Sequence, residues 1–285
     1  MLSVGPVYLS ATCRLHGFLS VAAHHPPLSI VRFPYVYSGS FGRICKVSSE
    51  RVVSFKDSSG EVSTMGIGSV SADSLVVGIP WRTFRWRHGQ AHYSGWYWSA
   101  TTGRHLVYES RLELAYLLMA DFDPKVVSIA AQPFCVTAQM EGRRRRHVPD
   151  FLVVDSDGLV TVVNVKPADQ VNVPKVAESL GWAAKVFAER GWRHIVWSGA
   201  PSAVLANVRF LAAYRRRDRV DAAAIDDVRR RVKAPVCIGE VESAVTDRFP
   251  AEVSRPALLH LLWCGELRAD LNEPLSGATV LERVA

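Results

Sequence analysis

HVPDFLVVDSDGLVTVVNVKP, residues 147–167, decides the fold of this 285-residue chain. Phe151-Leu152-Val153-Val154 and Leu159-Val160-Thr161-Val162-Val163 are β-branched and apolar, and Asp155-Ser156-Asp157-Gly158 between them carries turn chemistry. The segment therefore predicts a β-hairpin. Side chains alternate along a strand, so Asp150 projects with Leu152 and Val154, and Asn164 projects with Lys166. Antiparallel pairing sets the start of the first strand beside the end of the second, and Asp150 then faces the Asn164/Lys166 pair. Buried charge in an apolar hairpin needs a partner. Asp150, the Asn164 side-chain carbonyl, a backbone carbonyl and a substrate phosphate supply the oxygens that Mg²⁺ or Mn²⁺ prefers. Lys166 is placed to orient or deprotonate an attacking water and to offset charge on the phosphorane. This is the chemistry of phosphodiester hydrolysis.

A third ligand is expected from the helix that opens ESRLELAYLL, residues 109–118. Glu109 and Glu113 are four apart and share a face, so either reaches the hairpin. Ser110-x-x-Glu113 is also a capping-box pattern, which gives Glu113 a purely local alternative role. With the hairpin downstream, the ligand role is favoured.

Glu113, Pro149-Asp150 and Asn164-Val165-Lys166 resemble the PD-(D/E)xK nuclease pattern. The wider text is similar to one branch, the TnsA-like endonuclease subunit of heteromeric bacterial transposases. The similarity runs from Ser94-Gly95-Trp96-Tyr97 through Ser110-Arg111-Leu112-Glu113-Leu114-Ala115, Ala131-Gln132-Pro133-Phe134 and Pro149-Asp150-Phe151-Leu152-Val153 to Val163-Asn164-Val165-Lys166-Pro167-Ala168. The resemblance implies an α/β, restriction-endonuclease-like mixed sheet flanked by helices. It implies Glu113, Asp150 and Asn164 around Mg²⁺, with Mn²⁺ substituting, and Lys166 as the fourth catalytic residue. Gln132 resembles the polar residue that faces the site from the neighbouring strand, against the alternative of a solvated loop amide. Asn164 departs from the superfamily's usual Glu or Asp, as the TnsA-like branch tolerates, and leaves a weaker metal site. Implied partners are DNA, a TnsB-like DDE transposase and a TnsC-like ATPase regulator.

Composition agrees without deciding. The net charge of +7 and a pI near 9.3 favour a polyanionic partner. Five widely spaced cysteines, Cys13, Cys45, Cys135, Cys237 and Cys264, form no CxxC pair. They argue against a zinc site or a disulfide framework and fit a reducing cytoplasm, which the resemblance implies is bacterial. No apolar run approaches the roughly 20 residues of a membrane helix. The amino end does not look secretory, with Arg14 as its only early positive charge.

Three regions are expected. Residues 1–64 lack sustained periodicity and read as a poorly ordered or dispensable extension, residues 65–200 as the nuclease domain, and residues 201–285 as a mostly helical, winged-helix-like partner-binding domain. Trp81-Arg82-Thr83-Phe84-Arg85-Trp86-Arg87 alternates like a half-buried strand, which either contacts nucleic acid or pairs at a sheet edge. Arg143, Arg144, Arg145 and Arg146 are expected in a loop as phosphate contacts, Arg146 pointing most directly at substrate. A helix over 173–190 crosses to a strand over 194–198, on whose edge His194 takes no catalytic part. Beyond residue 201, helices over 203–217, 221–232, 235–245 and 254–264 precede a short β wing.

Overall fold

The computed structural model describes residues 51–82, 93–140 and 142–284. Residues 1–50 and the part of the alternating Trp/Arg strand beyond Arg82 lie outside them. All described residues belong to one compact unit.

The described residues open with β1 (Arg51–Lys56), β2 (Val62–Gly66) and α1 (Ala72–Val77), then β3 (Gly95–Ser99), β4 (Arg104–Tyr108) and α2 (Arg111–Phe122). Strands β5 (Val126–Ala131), β6 (Cys135–Met140), β7 (Arg143–His147), β8 (Phe151–Asp155) and β9 (Val160–Val165) follow. Helices α3 (Ala168–Val171) and α4 (Pro174–Glu189) lead to β10 (Arg193–Trp197). The remainder is α5 (Ser202–Leu211), α6 (Ala222–Arg231), β11 (Val236–Cys237), α7 (Ile238–Val245), α8 (Ala251–Trp263), β12 (Leu267–Arg268) and β13 (Val280–Arg283). Among the described residues no helix is long and apolar enough to cross a membrane.

The predicted hairpin is β8–β9, antiparallel with Phe151 opposite Val163 and Leu152 opposite Val162. Asp155 organises its turn, its carboxylate accepting from the Asp157 and Leu159 amides while Gly158 takes a φ of 76°. That left-handed backbone suits a residue without Cβ. The hairpin sits inside a mixed sheet of order β10-β9-β8-β5, in which only the β10–β9 pair is parallel. A parallel neighbour requires a crossover, and α4 supplies it.

Alternation divides the sheet into two faces. Phe151 stacks on Tyr116 of α2 at 5.2 Å between centroids, and Tyr116 meets Trp197 edge-on at 5.5 Å. On the other face Leu152 and Val162 join Trp182, Ala183, Val186 and Phe187 of α4 in one core. That core continues into a second sheet of order β2-β1-β6-β7 through Phe134, Val136, Val53 and Phe55.

Two expectations need correction. Residues 51–64 are not poorly ordered: β1 pairs with both β2 and β6 and buries Val53 and Phe55. The four arginines are not in a loop but form edge strand β7, paired with β6 from Val136↔His147 to Met140↔Arg143. Ladder bonds come from the main chain, and charged side chains suit an exposed edge, so weak β-propensity does not prevent pairing.

The C-terminal helices pack against the first half of the chain. Phe122 contacts Trp263 at 5.4 Å between centroids, and Arg215 Nε donates to the Trp98 carbonyl at 3.0 Å. Strands β11, β13 and β12 form a small antiparallel sheet in that order.

Candidate active site

Asp150 is held by its main chain from both sides. Its N–H donates to the Val163 carbonyl at 3.0 Å, and its own carbonyl accepts from the Gln132 N–H at 2.8 Å. These bonds fix the carboxylate at the junction of β5, β8 and β9, where it is only 6% exposed. Its Oδ2 accepts the Val165 N–H at 2.7 Å and, more loosely, the Asn164 amide at 3.4 Å, with Lys166 Nζ at 3.7 Å. Among the described residues its Oδ1 accepts no hydrogen bond. Lys166 Nζ donates to the Val165 carbonyl at 3.0 Å, which pins the ammonium over the same strand end. The facing of Asp150 and Lys166 anticipated from strand alternation is thus present.

Glu113 makes the capping contacts of its local reading. Its amide donates to Ser110 Oγ at 3.1 Å and its Oε2 accepts the Glu109 N–H at 2.8 Å, a closed capping box at the start of α2. The same carboxyl is buried and close enough to Asp150 to feel its charge. Burial foremost, then Asp150, push its pKa above the ordinary carboxylate value, against the bonds from Glu109 and Ser110. Glu109, the second choice, instead pairs with Arg82 at 2.7 Å.

Asn164 presents its amide differently from the expectation. Its Oδ1 accepts Nε2–H from His147 and from His194, each at 3.0 Å, so the oxygen proposed as a metal ligand is turned into the core and the NH₂ towards Asp150. Both histidines pack on Phe187, and His147 also on Trp182. Burial depresses both: His194 falls to about 4, and His147 also lies below the ordinary imidazole value. Neutral rings with Nε2–H are the form this carbonyl needs. His194, expected at the strand edge without a catalytic part, helps fix the Asn164 side chain. Sequence spacing did not signal it, because the parallel register placing His194 opposite Val162 depends on the whole α4 crossover.

Gln132 is no solvated loop amide. It is 3% exposed, has a φ of 46°, and its side-chain Oε1 is buried without a hydrogen-bond partner among the described residues. The left-handed conformation costs about 1–2 kcal/mol in a residue with a Cβ, and it lets the Gln132 main chain bond Asp150 on one side and Trp81 on the other. The arginine run divides by strand alternation. Arg145 turns to α4 and pairs with Glu178 at 2.5 Å, whereas Arg146 turns to the opposite face. Arg143 and Arg144 are exposed.

Among the described residues no three His, Cys, Asp or Glu side chains converge as a self-sufficient metal site. The Asp150 carboxylate with its uncommitted oxygen, a second buried carboxylate near enough to feel its charge, and a lysine fit a hard cation that keeps several waters and takes substrate oxygens.

Residues 123–199 match the family model described as TnsA-like endonuclease N terminal. No curated protein matches the chain. The matched segment contains Gln132, the β7 arginines, Asp150, Asn164, Lys166 and the α4 crossover, while Glu113 lies before it. The match supports a TnsA-like nuclease, a nuclease of the transposase type, and the mixed α/β architecture fits that domain.

Proposed function

We propose that this protein is a Mg²⁺-dependent DNA endonuclease, with Mn²⁺ able to substitute, that cuts the 5′ strands at transposon ends. It would act as the TnsA-like subunit of a heteromeric transposase in the bacterial cytoplasm. The observation that carries the reading is the Asp150 carboxylate, buried with its Oδ1 uncommitted, 3.7 Å from the Lys166 ammonium inside the matched segment.

Asp150 and Glu113 are the residues assigned to hold the ion. Burial first, and then the Asp150 charge, raise the Glu113 pKa, and a cation held by the two carboxylates would offset both. When bound, Mg²⁺ supplies Lewis-acid polarisation of the scissile phosphate and a more acidic water. The Lys166 ammonium would orient the attacking water and offset charge on the phosphorane. Asn164 contributes by donating to Asp150, with His147 and His194 holding its carbonyl. Gln132 sets the strand junction.

The C-terminal part supports a docking role more than DNA reading. Helices α6, α7 and α8 with a β11-β13-β12 sheet have the content of a winged-helix-like module. Yet α8 buries seven successive residues, Ala257 to Trp263, and a helix so enclosed does not enter a DNA groove. We assign this region to a TnsC-like ATPase regulator, with a TnsB-like DDE transposase processing the 3′ ends. A second reading, a DNA- or ATPase-binding adaptor with a decayed site, is favoured by the inward Asn164 carbonyl.

The deciding experiment is strand-specific nicking of DNA carrying the element's ends, with Mg²⁺ and both partner proteins. Loss of 5′-strand cuts in Asp150→Ala and Lys166→Ala, with 3′ cuts intact, is expected. Cuts unchanged by either substitution would leave the protein as an adaptor.

A further inference from the structure

On the face to which Arg146 turns, a cavity of about 510 Å³ is lined by Trp81, Arg82, Arg146 and Val148, and Val148 precedes Asp150 by two positions in the chain. Its walls are tied to both acids. The Trp81 N–H donates to the Gln132 carbonyl at 2.8 Å, and the Gln132 N–H donates to the Asp150 carbonyl at the same distance. Arg82 Nη1 binds Glu109 at 2.7 Å, and the Glu109 N–H donates to Glu113. The Trp81-Arg82 pair therefore bridges the strand that carries Asp150 and the helix that carries Glu113.

The chemistry of this cavity is specific. Trp81 is half-buried, and its ring has the Arg146 guanidinium 5.8 Å and the Lys56 ammonium 5.9 Å from its centroid. Arg146 is steadied by its Nε on Cys135 Sγ at 2.8 Å. Two cations stand over one flat ring, and Arg82, paired with Glu109, lines the same cavity. Indole faces stack bases, and guanidinium forks match phosphate oxygens. The volume lies in the range of small-molecule sites.

We propose that the Trp81–Arg82–Arg146 cavity binds one unpaired nucleotide of the substrate strand next to the scissile phosphate. Its base stacks on Trp81 and its phosphate lies on Arg82 and Arg146. A base in an intact duplex offers no free face, so the ligand is a nucleotide unstacked from its neighbours. The position of that nucleotide relative to the cut rests on the nuclease reading, whereas its capture rests on the cavity alone.

The test uses the full chain with Ca²⁺ in place of Mg²⁺, to separate binding from hydrolysis. The probe is a forked DNA duplex with a short unpaired arm containing 2-aminopurine, compared with the fully paired duplex. Stacking on Trp81 quenches 2-aminopurine. Trp81→Leu should abolish the quench and weaken forked-probe binding by roughly 5- to 100-fold, as expected for one lost base stack, with the paired duplex changed less than about two-fold. Trp81→Phe should restore most of the quench, and Arg146→Gln should weaken forked binding while leaving circular dichroism unchanged. Forked binding and quench unaltered in both Trp81→Leu and Arg146→Gln would overturn the site, even if Asp150→Ala abolishes cutting. A Trp81-dependent quench in a protein whose cleavage survives Asp150→Ala would uphold the site while removing the nuclease assignment.

Discussion

Asp150 in the sheet region and Asp227 in the helical region are both buried aspartates, 6% and 4% exposed, yet they are treated in opposite ways. Asp227 is saturated: Arg231 reaches it at 2.7 Å, Arg230 at 3.0 Å and Arg248 at 3.5 Å. Those bonds hold its pKa below the ordinary value. Asp150 has one short bond, from the Val165 amide, and an Oδ1 that no described group uses. Asp121, at the end of α2, resembles Asp227. It accepts from Tyr97 Oη at 2.7 Å, Ser99 Oγ at 2.6 Å and the Ala100 and Thr101 amides at 3.0 and 2.9 Å. A saturated buried carboxylate is structural cement, and an unsaturated one is free to bind a ligand. The contrast separates chemistry from architecture without appeal to motif.

The comparison breaks first at Asp150. Its replacement by Ala should reduce cleavage by about 10³-fold or more, the scale of several kcal/mol of lost charge stabilisation. The melting temperature should move by only a few degrees, because few bonds depend on the carboxylate. A large loss of stability with proportionate loss of activity would make Asp150 another Asp121. The opposite pattern is expected of Asp121→Ala, which strands two hydroxyls and two amides. It should cost about 3–5 kcal/mol, or about 10 °C in a domain of this size, with activity per folded molecule unchanged.

The same contrast explains what was legible in the sequence. Strand alternation and turn chemistry gave the β8–β9 hairpin and the meeting of Asp150 with Lys166, because both are local. The capping contacts of Glu113 were equally local, and the structure shows them. Pairings across long separations were not legible. Arg143 to Arg146 carry little β-propensity and become a strand because β6 offers them a ladder, just as residues 51–56 do. The paired histidines on Asn164 are 47 residues apart and meet only after β7, β9 and β10 are assembled.

Those histidines supply a smaller, pH-dependent test. His194 has a folded pKa of about 4 against an ordinary 6.5, lowered chiefly by burial, and His147 is shifted in the same direction. The unfolded chain therefore binds more protons between these values, and stability rises with pH across that window. The contribution is complete above about pH 6.5 and lost as pH falls towards 4, up to about 3 kcal/mol for His194. Urea unfolding from pH 4 to 7 should show this slope, and His194→Gln should flatten it. Equal slopes in both proteins would mean that the ring is not held neutral by the core.

The smallest effect sharpens the comparison at its other end. Asp227 joins arginines whose own side chains are one-third to two-thirds exposed, so solvent screens the pairs. Asp227→Asn should cost only about 1 kcal/mol, and 1 M salt should erase much of the difference, since the Debye length is then about 3 Å. Asp121, bonded to neutral hydroxyls and amides inside the fold, should lose the same stability at any salt concentration. If the two losses respond alike to salt, saturation by arginine and saturation by amides are energetically equivalent. The distinction between a surface-facing ion cluster and a sealed hydrogen-bond centre would then have to be abandoned, leaving the uncommitted oxygen of Asp150 as the sole feature that sets one buried aspartate apart.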